Sequence, residues 1–233
     1  MRIGVRALSG LILGVLLCLA LPVLGQTTTI YFNGGYQGDV WCNGSQGCVA
    51  TGFYDGSING VQVGPGDSSP GMICDDYEHT IVAGESWTAT AIDVANLNQS
   101  NISSTQFGNA IGLTGYTELA YVVNLMFTTN PSSSQQSIYS QALWAITGGV
   151  KASQLSSGAL SLYNWVVQNV GSLPALSSYA DLMLYTPTNR GNNEPQEMWG
   201  ELEVPEGGAA GAYLLLAGVF SCGAMFLRRR VRA

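Results

Sequence analysis

The densest group of side chains able to move protons or bind a metal is the run Asp75-Asp76-Tyr77-Glu78-His79. It holds three carboxylates and the only histidine of the chain, a combination that suits a metal site or an acid–base pair. Calcium would need six or more oxygen ligands, and zinc more histidines or cysteines than the chain offers. The ligand count therefore predicts no metal site. It favours a solvated strand edge leading into a turn, with Asp75 and Tyr77 on one face and Asp76 and Glu78 on the other.

A hydrolase would have to use the same run of residues. Only His79 could serve a Ser-His-Asp triad, and the chain contains no Gly-x-Ser-x-Gly nucleophile elbow. A periplasmic hydrolase that uses Asp75, Asp76 or His79 stays open as a function, and it predicts that His79→Ala abolishes turnover. The sequence otherwise predicts a protein that is not an enzyme and needs no cofactor.

Cys74, directly before this run, belongs to a second group of residues. Met72-Ile73-Cys74 and the stretch Ser140-Gln141-Ala142-Leu143-Trp144 have the order and character of the Cys and Gln motifs of bacterial thioester domains. The segment from Met72 to about Gly148 resembles that family. In that family, the Cys and Gln side chains form a thioester, which reacts with amines on a target surface. The resemblance implies a covalent adhesin that uses Cys74 and Gln141, or the same fold without the bond.

Helical geometry favours the fold without the bond. In the family pattern the Gln lies four residues before the Trp, where this chain has Ser140, and Gln141 follows one residue later. One residue is about 100° of rotation, so Gln141 should point off the face that meets Cys74. Gln136 shares that face but lies one helical turn away. We therefore expect a thioester-domain-like fold in which Cys74 is a small buried thiol.

The remaining cysteines and aromatic residues suggest a disulfide and a binding face. Cys42 and Cys48 flank a glycine-rich loop and should pair in an oxidising compartment, which leaves Cys74 unpaired in the exported domain. Five tryptophans and eleven tyrosines suggest a sugar-binding face, although aromatic residues are more often in the core. Trp144 and Trp165 lie at core spacing on helices. Trp41, in the disulfide loop, is the expected exposed contact.

Charge is distributed unevenly along the chain. All 15 acidic residues lie between Asp39 and Glu206, with only Lys151 and Arg190 as basic residues among them, so this region carries a formal charge of −13. Such a surface repels nucleic acid and anionic lipid, which excludes both as expected partners. The other six basic residues lie at the two ends of the chain.

Both ends of the chain are hydrophobic. Residues 1–25 contain Arg2 and Arg6, an apolar stretch and Gly25 at the expected cleavage point, which is typical of a secretory signal peptide. Near the other end, residues 207–227 form an uncharged run of 21 residues. As a helix this run would span about 31 Å, the thickness of a bilayer's hydrocarbon core. The chain should therefore be exported and held in the inner membrane by its C-terminal helix, facing the periplasm.

The tail, residues 204–233, resembles the PEP-CTERM sorting signal of Gram-negative bacteria. The resemblance rests on Val204, Pro205 and Glu206, the apolar helix, and the basic cluster Arg228, Arg229 and Arg230, with Gly207 in place of the family's second proline. It implies cleavage by an exosortase, followed by release or attachment to extracellular polysaccharide. The predicted function is thus a cell-surface or extracellular-matrix protein.

The elements between the two ends predict one α+β domain, residues 26–203. Strand signals occupy residues 27–91, where alternation in residues 87–92 is typical of a half-buried strand, and they return in residues 179–185 and 198–204. Between them, apolar spacing predicts helices over residues 117–128 and 132–146 that form a hairpin, and a third over residues 157–170. Ser132 and Gln135 form a predicted capping box.

Overall fold

A computed structural model describes residues 26–45, 47–67, 69–189 and 195–201. The signal peptide of residues 1–25, the sorting motif Val204, Pro205 and Glu206, the apolar run of residues 207–227 and the basic cluster Arg228, Arg229 and Arg230 lie outside the described residues. Within the described ranges, no helix is both long and apolar enough to cross a membrane.

The described residues contain nine strands, seven of which form one antiparallel sheet that closes on itself. Its order is β1-β7-β8-β9-β6-β4-β5, and β1 also pairs with β4, so six strands complete a small barrel and β5 extends it from the end of β4. Strands β2 and β3 form a separate hairpin. The strands are β1 (Gln26–Tyr36), β2 (Trp41–Gly44), β3 (Gly47–Val49), β4 (Phe53–Ile58), β5 (Val61–Val63), β6 (Met72–Cys74), β7 (Ser86–Asp93), β8 (Leu182–Pro187) and β9 (Met198–Glu201).

Three α-helices are inserted between β7 and β8, so the α+β class is confirmed. They are α1 (Gly108–Thr128), α2 (Ser133–Ile146) and α3 (Ser157–Gln168). The capping box at Ser132 and Gln135 is present at the start of α2. Helix α1 begins earlier than predicted, because it continues through a kink at Gly112. The φ of Gly112 is 60°, a positive value that glycine adopts readily.

Alternation along the strands divides the core into two parts. Ile73, Leu184 and Trp199 face the helices and join the larger cluster with Tyr116 and Leu119 of α1. Their neighbours in sequence face the interior of the barrel, where they form a second cluster that includes Met72, Cys74, Tyr185 and Met198. Successive residues at the end of β6 are thus directed to opposite sides of the barrel wall.

Candidate functional site

The two aspartates after β6 continue this alternation and are both buried. Asp75 is 0% and Asp76 1% exposed. The expectation of a solvated strand edge is therefore wrong. The reason is tertiary: Asp75 follows Ile73 to the helix side, whereas Asp76 follows Cys74 to the barrel side. Each carboxylate belongs to a different set of hydrogen bonds.

On the helix side, Asp75 lies in a buried polar cluster with Glu197. Asp75 Oδ2 accepts a hydrogen bond of 2.7 Å from Trp199 Nε1, while its Oδ1 has no partner among the described residues. Glu197 accepts from three donors, namely the Tyr116 hydroxyl at 2.5 Å, the Gln106 backbone N–H at 2.9 Å and the Thr186 hydroxyl. Glu197 is therefore the carboxyl of the pair that accepts more hydrogen bonds.

Burial and like charge determine the ionisation of this cluster. Burial, followed by the charge of Glu197, raises the pKa of Asp75 well above its ordinary value. Burial also raises the pKa of Glu197, but its bonds from Thr186, Tyr116 and Gln106 act in the opposite direction. Because the three donors stabilise a carboxylate on Glu197, Asp75 is the group that retains a proton.

On the barrel side, Asp76 and His79 form a hydrogen-bonded dyad. Asp76 Oδ2 lies 2.7 Å from His79 Nδ1, and Asp76 Oδ1 accepts from the backbone N–H groups of Glu78 and His79 at 3.0 and 3.2 Å. The Gln106 side chain donates to the same Asp76 Oδ2. Gln196 Nε2 donates to the carbonyl oxygens of Asp76, at 3.0 Å, and of His79. The dyad is therefore held through both its side chains and its backbone.

Gln106 connects the two sets of hydrogen bonds. Its backbone N–H donates to Glu197 and its side chain donates to Asp76. The sequence did not predict roles for Gln106, Gln196 and Glu197, because polar residues spread over about 90 positions of the chain form no local pattern. The only available signal was that Gln196 and Glu197 stand directly before an apolar strand.

The dyad opens onto a cleft of about 300 Å³ near one end of the barrel. His79 has 31% of its side chain exposed there, whereas Asp76 lies behind it and is shielded. The cleft is also lined by aromatic residues of both the barrel and the loops, by Gln196, and by part of the disulfide hairpin. These aromatic lining residues are Phe32, Tyr36, Tyr54, Tyr77 and Trp144.

The hairpin of β2 and β3 forms one wall of the cleft. A disulfide joins Cys42 to Cys48 within it, and Cys48 and Val49 line the cleft. Trp41 was the expected exposed contact, and that expectation is wrong: its side chain is 8% exposed. Its ring lies 5.8 Å from that of Tyr77 and 5.9 Å from that of Trp144, so it anchors the hairpin to the domain.

Cys74 and Gln141 have separate partners. The Cys74 thiol is buried and donates to the Asp76 carbonyl at 3.0 Å. Burial, followed by the charge of Asp76, raises the pKa of this thiol well above its ordinary value. Gln141 Oε1 accepts from the Ser156 backbone N–H at 2.9 Å, and its Nε2 donates to Ser137. Gln141 therefore stabilises the start of α3, and the structure does not bring it together with Cys74.

The face of α2 that carries Gln136 and Ser140 meets the start of β4. Ser140 Oγ accepts from the Gly52 backbone N–H at 2.9 Å, and Gln136 Oε1 accepts from that of Phe53 at 3.2 Å. Gly52 has a φ of +86°, and a Cβ there would lie 2.3 Å from Gln136 Oε1. These two polar residues therefore replace a strand partner at a point where the chain turns into the barrel.

No protein-family model, curated protein or solved structure matches this chain at a significant level. The chemistry of the site therefore rests on its geometry alone. A histidine whose Nδ1 is bound to a carboxylate presents Nε2 as a hydrogen-bond acceptor or a general base. Among the described residues, no group of three His, Cys, Asp or Glu side chains could hold a metal ion. The arrangement suits recognition of a polar ligand between aromatic rings, or proton transfer to one.

Proposed function

We propose that this chain is a non-enzymatic, exported protein of the cell surface or extracellular matrix that binds extracellular polysaccharide in the cleft beside His79. The tail of residues 204–233 holds it in the inner membrane until an exosortase cleaves the tail. Delivery follows from the signal peptide and the PEP-CTERM-like tail read in the sequence. The assignment of the cleft follows from its lining.

The observation that carries the binding role is an aromatic cleft with a fixed polar group at its wall. Sugar-binding sites combine flat apolar surfaces, which cover the C–H faces of pyranose rings, with a few oriented polar groups. Here the ring of Tyr36, which is 44% exposed, supplies the first feature and the dyad of Asp76 and His79 supplies the second. A volume of about 300 Å³ lies at the lower end of ligand sites, which suits one or two sugar units.

The sorting role is tested by the mass of the exported protein. Intact mass would be measured in cells with and without a functional exosortase, together with a Pro205→Ala, Glu206→Ala double variant. We expect loss of residues C-terminal to the motif only when both the protease and the motif are intact. A full-length tail in every strain would reject sorting, although it would leave the membrane anchor in place.

The binding role is tested separately with polysaccharide isolated from the producing cells. The wild-type protein should be retained on the immobilised polymer. Tyr36→Ala, which removes an exposed ring of the cleft, should reduce retention, whereas Tyr31→Ala, which removes an exposed ring of the same strand outside the cleft, should not. Equal retention of all three proteins would reject the cleft as the binding site.

A periplasmic hydrolase is the second candidate, and one observation favours it. The distance of 2.7 Å between His79 Nδ1 and Asp76 Oδ2 is that of a carboxylate-oriented general base. Such an enzyme would use His79 to take a proton from water or a substrate hydroxyl. Screening against ester and glycoside substrates, with His79→Ala as the control, decides between the two roles. Turnover by the wild type that is lost in the variant would show that the protein is an enzyme rather than a binding protein.

A further inference from the structure

The Asp76 carboxylate fixes which nitrogen of His79 faces the cleft as an acceptor. Since Oδ2 of Asp76 accepts from its partners, Nδ1 of His79 carries the proton and donates across the 2.7 Å contact. The other ring nitrogen, Nε2, then presents a lone pair. The His79 side chain lines the cleft and is 31% exposed. The dyad is thus an acceptor backed by a negative charge.

Gln196, in the wall of the cleft, holds the dyad in place through its backbone. Gln196 Nε2 is bound to two carbonyl oxygens, which fixes the orientation of the amide and directs Oε1 away from them. This Oε1 is buried and has no hydrogen-bond partner among the described residues. Buried acceptors normally have a partner. Because this oxygen is buried, Gln196 contributes by fixing the dyad rather than by touching the ligand.

Charge and aromatic character add a preference for a cation. The cleft is lined by one carboxylate, that of Asp76, and by no lysine or arginine among the described residues. Among the aromatic lining residues, Tyr36 is exposed, and the negative π face of its ring attracts an ammonium group within about 6 Å. The strongly acidic composition of the domain acts in the same direction over a longer range.

We propose that the cleft selects amino sugars, and that it binds the free primary ammonium group of a hexosamine unit in the polysaccharide. The ammonium donates to His79 Nε2, while the amino sugar lies against the exposed ring of Tyr36. This inference rests on the proposed function and names the chemistry of its ligand. Gln196 acts as a positioning residue, because it ties the backbone of Asp76 and His79 together.

The test is isothermal titration of the full chain in detergent micelles with three probes. They are a glucosamine hexamer, its fully N-acetylated counterpart, and Nα-acetyl-lysine amide. We expect the glucosamine hexamer to bind, and acetylation to weaken binding about tenfold or more, because it removes the charge and two of the three donors. His79→Ala should weaken binding of the glucosamine hexamer by a similar factor and weaken that of the acetylated form less, because the acetylated form keeps only one N–H donor.

Tyr36→Ala should weaken binding of the glucosamine hexamer about fivefold, whereas Tyr31→Ala should have no effect. Far-ultraviolet circular dichroism verifies that each variant is folded, and His79→Gln replaces His79→Ala if the latter unfolds. Equal affinity for both hexamers would overturn the ammonium inference and leave polysaccharide binding intact. If the lysine derivative bound as tightly as the glucosamine hexamer, the cleft would be a site for amines of proteins rather than of sugars. If the wild-type protein bound neither hexamer and was not retained on the native polymer, both proposals would be rejected.

Discussion

Replacing Asp75 by asparagine should make the protein more stable at neutral pH. The pKa of Asp75 is raised above its ordinary value of 3.8 by burial and by Glu197, so the folded state retains a proton that the unfolded chain releases. The free energy of unfolding then decreases as pH rises above about 4, by about 1.4 kcal/mol per pH unit for each such carboxyl, until the folded pKa is passed. The asparagine side chain would have the shape of the protonated acid and no charge to titrate.

The assay is urea unfolding of the full chain in detergent between pH 4 and 8, followed by tryptophan fluorescence. At pH 4 the wild type and Asp75→Asn should differ by no more than about 1 kcal/mol, because both are uncharged at this position in the folded state. The gain of the variant should grow with pH at about 1.4 kcal/mol per unit across the lower part of the range. The exposed Asp67→Asn serves as control and should show no such growth.

Two outcomes would contradict this account of the buried cluster. If Asp75→Asn were destabilised more at pH 7 than at pH 4, the folded state would require a charged Asp75. If the difference between the two proteins did not change with pH, burial would not disfavour that charge. In the first case, the hydrogen bond from Trp199 would have to stabilise a carboxylate rather than a neutral acid.

The remaining predictions concern Gln141, Cys74 and the disulfide. Gln141→Leu should destabilise the protein by about 1–3 kcal/mol, because the Ser156 N–H loses its acceptor. Gln141→Glu keeps an oxygen at this position and should cost less stability. Equal losses of stability in urea unfolding would contradict this role. Intact mass should show no loss of ammonia, and methylamine should add nothing; either change would establish a thioester at Cys74. Replacing Cys42 and Cys48 together by serine should cost about 2 kcal/mol and weaken ligand binding, since the hairpin forms a wall of the cleft; unchanged thermal unfolding and affinity would refute this.

The helices were predictable because their signals are local. The capping box at Ser132 and Gln135 and the apolar spacing of α1 depend on residues within a few positions of each other. The strand signals were also local, but the closure of the sheet was not. Pairing of β1 with both β4 and β7 depends on residues far apart in the chain, and no single segment encodes it.

The site was less predictable than the fold, because its geometry comes from that closure. Taken by itself, the run from Asp75 to His79 resembles any charged loop, and counting its possible metal ligands says nothing about its burial. Burial of Asp75 depends on Trp199 and that of Asp76 on Gln106 and Gln196, all at least 30 positions away. Trp41 was misplaced for the same reason, since its partners Tyr77 and Trp144 come from two other segments.

The two sets of hydrogen bonds at the end of β6 have different physical roles, although Gln106 joins them. Glu197, Tyr116 and Thr186 bind the strands to α1 through charge-assisted bonds within a dry core, where an incomplete set would be costly. The dyad on the other side holds His79 at the wall of the cleft, where 31% of its side chain is exposed. Because Gln106 donates to both carboxylates, any motion of His79 that drew Asp76 along would disturb the core. The cleft therefore presents a rigid acceptor, and rigidity of this kind reduces the entropy lost when a ligand binds.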